Sequence, residues 1–175
     1  MTYQRDFTIG TKETQDFYIA LTLGRWGKGV IGFGVVGALV ALLYTSGTAL
    51  SLPVRAALTL VGALLAAEIT VLALIFSTRQ KVKSQISRSG RESYVQSTEI
   101  NVFGIHVAVG KDKAKMSFGN LLRVKETRKA FYLFISEQQA WILPKKQMED
   151  PEAESEQLRT IFRAVIERKK LQLKK

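Results

Sequence analysis

Charge is nearly absent from one long stretch of this chain: residues 26–77, 52 positions, hold only Lys28, Arg55 and Glu68. The other 123 positions carry 38 of the 41 charged side chains. A stretch that apolar must be sheltered from water on every side, by protein or by lipid. With 175 residues in all, the chain cannot surround two such helices and also leave a highly charged C-terminal half. The stretch is therefore read as a membrane hairpin attached to a polar domain. Trp26 to Tyr44 is 19 residues, about 28 Å as a helix, and Ala56 to Phe76 is 21 residues, about 31 Å. The hydrocarbon core to be crossed is about 30 Å thick. Between the two, Thr45 to Pro53 is polar and contains glycine and proline, as a short turn requires.

Basic residues near helix ends are retained on the cytoplasmic side. Arg25 and Lys28 flank the start of the first span and Arg79, Lys81, Lys83, Arg88 and Arg91 follow the second, whereas the turn region offers only Arg55. Both termini are thus expected on the cytoplasmic side of the membrane. Residues 1–25 include Asp6, Glu13 and Asp16 and lack a cleavable signal's basic start and apolar core, so the first span should be retained. Within them Phe7-Thr-Ile9 suits a short strand. Thr11 suits the N-cap of a helix reaching about Leu23, an interfacial lead-in with Phe17, Tyr18 and Leu21 on one face.

Two features of the hairpin carry chemistry on paper. Gly32-Phe-Gly-Val-Val-Gly37 spells G-x-G-x-x-G, but a dinucleotide site needs a preceding strand and an acidic residue about 20 positions on, and neither is present. The spacing is instead that of a small-residue face: Gly34 with Ala38, Gly37 with Ala41, Gly62 with Ala66 and Ala63 with Ala67 are each four apart. Glu68 is the thirteenth of the 21 residues of the second span, near mid-membrane, where a carboxylate is costly without a partner. It reads either as a proton- or ion-responsive group at a helix interface or as a neutral carboxyl hydrogen-bonded to Thr70, to a first-helix carbonyl or to a second copy.

Residues 78–91 form a basic juxtamembrane linker in which Arg79, Lys81, Lys83, Arg88 and Arg91 stand without an acid. Anionic headgroups of the inner leaflet attract such a segment; the charges also serve simply to set topology. From residue 92 the pattern changes to short runs rich in Val, Ile, Phe and Tyr. Tyr94–Ile100, Gly104–Val109, Lys115–Phe118, Leu121–Thr127, Ala130–Ser136 and Ala140–Leu143 are candidate strands, with Gly110-Lys-Asp-Lys113 a charged turn and Arg128-Lys129 and Glu137-Gln138 hairpin tips. Connections this short imply antiparallel pairing. Asp150 as N-cap and Pro151 at the first helical position then open a helix with Leu158, Ile161, Phe162, Val165 and Ile166 on one face.

Strands followed by one amphipathic helix outline a pleckstrin-homology-like barrel. Val124-Lys-Glu-Thr-Arg-Lys-Ala-Phe-Tyr-Leu-Phe-Ile-Ser136, then Trp141-Ile-Leu-Pro-Lys-Lys146 and the acidic-started helix, resemble the YcxB-like family of bacterial membrane proteins. The order of parts, a short N-terminal segment, a two-helix hairpin and this small domain, resembles that family along the whole chain. The resemblance implies fold and location and brings no activity with it. Where members of the family often carry a bulky aromatic after the Pro-Lys pair, this chain has Gln147 and Met148.

Enzyme chemistry is disfavoured. With no cysteine and one histidine, disulfides, thiolate nucleophiles and multi-histidine metal cages are excluded, and no cofactor is expected. His106 lies in an apolar run with no nucleophile or acid at a defining distance. Lys145 and Lys146 after Pro144 suit an anion contact, or equally the protection of a sheet edge. The net charge of +11 could face nucleic acid, but for a membrane-placed chain lipid is the nearer anion, and no nucleic-acid partner is expected. The reading is an α+β membrane protein with four parts: an N-terminal segment (1–25), a transmembrane hairpin (26–77), a basic linker (78–91) and a cytoplasmic pleckstrin-homology-like domain (92–175). It serves as a binding or regulatory module for anionic lipid, through Lys81, Lys83, Arg88 and Arg91, or for a protein partner. The alternative is a small oligomeric transport or ion-sensing component built around Glu68.

Overall fold

The computed structural model describes residues 2–89, 92–167 and 170–173. In chain order the elements are β1 (Thr2–Gly10), α1 (Thr11–Ser46), α2 (Leu52–Ser89), β2 (Ser93–Asn101), β3 (Gly104–Val109), β4 (Asp112–Met116), β5 (Arg123–Glu126), β6 (Ala130–Phe134), β7 (Ala140–Pro144), α3 (Pro151–Val165) and β8 (Leu171–Gln172). The class is α+β, as the sequence indicates. The chain divides into two units: Tyr18–Gln85 is helical, and the two ends of the chain, up to Phe17 and from Ile86 on, form the second.

In the helical unit α1 and α2 are both long and apolar enough to cross a membrane. The small residues meet as their spacing implies. A Cβ built on Gly37 would lie 2.7 Å from the Gly62 carbonyl oxygen, and one on Gly62 would lie 2.8 Å from Ala41 Cβ, so the two backbones approach as closely as glycine allows. Arg55, the basic residue of the turn region, donates to the Thr48 carbonyl and helps close the connection. Pro53 lies in the first turn of α2, where its missing N–H costs no helical bond.

Two expectations about helix extent change. The lead-in and the first span are one helix from Thr11 to Ser46, and its N-cap is Gly10. Glu13 Oε2 accepts from the Gly10 N–H at 3.0 Å, the carboxylate half of a capping box. The linker is helical too from Thr78 to Ser89, where α2 ends, and its last two residues lie outside the described ones.

The sheet unit holds two four-stranded sheets, in the orders β1-β2-β3-β4 and β7-β6-β5-β8. All pairings are antiparallel except the short parallel contact of β5 with β8. The strand expected at Phe7 to Ile9 is nine residues long and pairs with β2 over its whole length, Thr2 opposite Asn101 and Gly10 opposite Ser93. The N-terminal segment is therefore part of the folded domain. Its inward side chains, Tyr3, Phe7 and Ile9, alternate along the pleat and are buried. The β3–β4 turn needs only two residues, because Gly110 takes φ +59°, so β4 starts at Asp112 rather than Lys115.

β6 is buried along its whole length because both of its faces are covered. Phe131 meets Phe162 of α3 at 6.1 Å, while Tyr132 and Phe134 meet Phe17 of α1 at 5.4 and 5.8 Å. Burial pushes the Tyr132 phenol up to about 12, so it stays neutral in the core. The sheets are tied by buried Gln96 of β2, whose Nε2 donates to the Ile142 carbonyl of β7 at 3.0 Å. α3 opens as expected, with the Asp150 side chain accepting from the N–H groups of Glu152 and Ala153.

Candidate anion-binding rim

One end of the second sheet gathers basic residues from two turns. Thr127 Oγ1 accepts from the N–H groups of Lys129 and Ala130, which holds Arg128 and Lys129 out on a tight β5–β6 connection. After β7, Lys145–Gln147 make one 3-10 turn. The Lys145 N–H donates to the Lys129 carbonyl at 2.8 Å, so the two turns are adjacent and Arg128, Lys129, Lys145 and Lys146 share one rim. From the sequence Lys145 and Lys146 read as an anion contact, whereas Arg128-Lys129 reads only as a hairpin tip. The missing signal was the pairing of β6 with β7, which brings residues 14 apart into register, Ala130 opposite Pro144.

These cations are not equivalent. Lys145 Nζ is bound to Glu126 and lies 4.7 Å from the centre of the Phe131 ring. The Glu126 side chain has no exposed surface, and Arg159 of α3 grips it in a fork, Nε to Oε2 at 3.0 Å and Nη2 to Oε1 at 2.7 Å. Hydrogen bonding to Glu126 raises the Arg159 pKa further, so the guanidinium is permanently charged. The third arm of Arg159 reaches Glu156 at 2.7 Å; this bond, with Arg163 beside it, holds the Glu156 carboxyl below the usual carboxylate range. Lys129 is paired with Asp16 at 2.7 Å. Arg128 and Lys146 are exposed and make no hydrogen bond or ion pair among the described residues.

Gln147, where the sequence departs from the family pattern, has a job of its own. Its side-chain amide pairs with both backbone groups of Thr8, accepting from the N–H and donating to the carbonyl at 2.7 Å each, and so occupies the outer edge of β1. Arg5 and Tyr3 of the same strand reach Glu154 of α3, each at 2.8 Å. Burial, reinforced by that carboxylate, raises the Tyr3 pKa, so the phenol remains a donor.

The other singled-out residues are elsewhere. Lys81, Lys83 and Arg88 are exposed on the last turns of α2, and Arg91 lies outside the described residues. Glu68 is exposed on the side of α2 away from the Gly62 and Ala66 face, and the Thr70 hydroxyl donates to the Ala66 carbonyl at 2.8 Å rather than to Glu68. His106 stands on β3 between Glu99 and Lys115 of the neighbouring strands. Among the described residues no group of three His, Asp or Glu side chains is placed to hold a metal.

Residues 100–162, from the end of β2 into α3, match the family model described as YcxB-like protein. Over that segment the chain is similar to the YcxB-like family. The matched segment contains β3 to β7 and the whole rim, including Glu126 and Arg159. β1, which completes the first sheet, lies far outside it. No curated protein and no solved structure matches the chain.

Proposed function

We propose that the protein is a membrane-anchored, non-enzymatic binding module of the bacterial inner membrane, with both ends cytoplasmic and a pleckstrin-homology-like domain that works against anionic lipid headgroups. The observation that carries this reading is on α2. One unbroken helix passes from an apolar surface, where Leu60, Ile69, Leu72 and Phe76 are exposed, into a stretch with Arg79, Lys81, Lys83 and Arg88 exposed and unpaired among the described residues. At about 100° per residue, Lys81 and Arg88 fall on one side of the helix and Arg79 and Lys83 on the other. That is a collar rather than a stripe, the form that suits a helix crossing a headgroup layer, where anions approach from all sides. Two largely antiparallel sheets with a helix after β7 support the pleckstrin-homology-like reading.

The test uses the full chain extracted from bilayers of mixed neutral and anionic lipid, with retained lipid counted by native mass spectrometry. Wild type is expected to retain anionic lipid preferentially, and less so as salt rises. Reversing Lys81, Lys83, Arg88 and Arg91 to Glu should abolish the preference; an unchanged ratio refutes the headgroup assignment.

The position of Glu68 favours a second reading, self-association. A carboxyl on the outer face of α2 has no partner within its own hairpin, and near mid-membrane a second copy is the available one. An ion- or proton-responsive oligomer would use the same group. In neutral bilayers Glu68→Leu is expected to lower the dimer fraction about fivefold, while Glu68→Gln, which keeps the hydrogen bonds, holds it near wild type and removes any pH dependence. Equal dimerisation in all three, at every pH, rules this reading out.

A further inference from the structure

Beside the rim, between the β5–β6 turn and the first turns of α3, is a cleft of about 590 Å³. Four cations line it, Arg128, Lys145, Lys146 and Arg159, against two carboxylates, Glu152 and Glu156. Ser155 lines it as well. That serine is 3% exposed, and its Oγ is buried without a hydrogen-bond partner among the described residues. A helical serine this deep ordinarily donates to the carbonyl one turn back, and a buried hydroxyl with no acceptor is destabilising.

We propose that this cleft is a phosphate site, taking the phosphomonoester of a lipid headgroup or of a soluble compound, with Ser155 turning its hydroxyl out to donate to it and Arg128 and Lys146 supplying the free charge. The roles follow from what each group is already doing. Lys145 and Arg159 are committed to Glu126, so they raise the potential of the wall without leaving it. Glu156 is neutralised by Arg159 and Arg163 at 2.7 and 3.3 Å. Arg128 and Lys146 have no competing partner among the described residues and can turn inward. Glu152 is the one lining carboxylate without a cation of its own among the described residues, and it opposes the anion. A tetrahedral, multiply charged oxyanion meets the donors on several sides at once, which a flat carboxylate does not. The site is independent of the collar on α2 and stands or falls without it.

The experiment is thermal unfolding of the full chain in a non-ionic detergent at constant ionic strength, titrated with inorganic phosphate and, separately, with short-chain phosphatidic acid. A ligand bound by the folded state alone raises the unfolding temperature by mass action. Wild type is expected to show a saturable rise. Ser155→Ala and the double variant Arg128→Ala with Lys146→Ala should each need about tenfold more phosphate for the same rise. Glu152→Gln should need less. Without phosphate, Ser155→Ala should unfold at or above the wild-type temperature, because an unsatisfied hydroxyl has been removed and no bond lost. No rise in wild type, or the same rise in every variant as a general salt effect would give, overturns the proposal. Saturation by phosphatidic acid at lower concentration than by inorganic phosphate assigns the site to a lipid headgroup; equal or weaker binding of the lipid assigns it to a soluble phosphate compound.

Discussion

Arg159→Met is expected to destabilise the sheet unit by about 3 kcal/mol or more, because it strips a fully buried carboxylate of its bidentate partner. Lys145 remains on Glu126, but its single ammonium cannot reproduce the fork that Arg159 makes to both oxygens. For a unit of this size the loss corresponds to a fall of roughly 10–20 °C in the unfolding temperature. The chain has two tryptophans, so a Trp26→Phe background leaves Trp141 on β7 as the sole fluorescent reporter of the sheet unit. The single variant Glu126→Leu strands Arg159 and Lys145, but both retain exposed surface, 20% and 14%, and can turn to water, so its cost should be smaller. Combining Glu126→Leu with Arg159→Met should recover most of the loss, since an apolar pair of similar volume avoids desolvating charge. Should Arg159→Met unfold within a few degrees of wild type, the ion cluster is not what holds α3 against β5, and the aromatic contact of Phe162 with Phe131 carries that junction instead.

The cluster also marks where reading the sequence runs out. Glu126, Lys145 and Arg159 are charged residues on three separate elements, and nothing in their local patterns distinguishes them from solvated surface. Their meeting depends on register, β5 with β6 and β6 with β7, and on the angle at which α3 crosses the second sheet. By contrast, most features set by short-range periodicity were legible. The strands from Ser93 to Pro144 other than β4, the Asp150 cap and the small-residue contact of Gly37 with Gly62 follow from alternation, capping chemistry and four-residue spacing. β1 was half legible: Phe7 and Ile9 gave the alternation, but its partner strand is separated from it by the whole apolar hairpin. Ser155 reads as an ordinary helix residue, and only the absence of an acceptor around its buried hydroxyl singles it out.

Residues 92–175 alone are expected not to fold, whereas residues 1–10 joined to residues 93–175 by Asn-Gly are expected to fold as a soluble domain. β1 and β2 are antiparallel neighbours that end at Gly10 and Ser93, directly opposite each other, so both long helices are an insertion between the two strands of a hairpin. A two-residue type I′ turn is the natural closure of such a pair. Removing β1 uncovers the places of Tyr3, Phe7 and Ile9, which are 4%, 0% and 1% exposed. At about 1.5–3 kcal/mol each, these three contribute roughly 5–9 kcal/mol, comparable with the whole stability of a typical domain. The fusion restores them but loses Phe17 from over Tyr132 and Phe134, so it should be about 2–3 kcal/mol less stable than the full chain's sheet unit while still unfolding cooperatively. Trp141 fluorescence through a urea titration reads both outcomes. Cooperative unfolding of 92–175 by itself would make β1 an accessory, and failure of the fusion would mean that the start of α1, through Phe17, is as necessary to the domain as β1. If both expectations hold, the domain cannot close until β2 has been made, about eighty residues after β1, and the long-range pairing of β1 with β2 becomes a late step in folding.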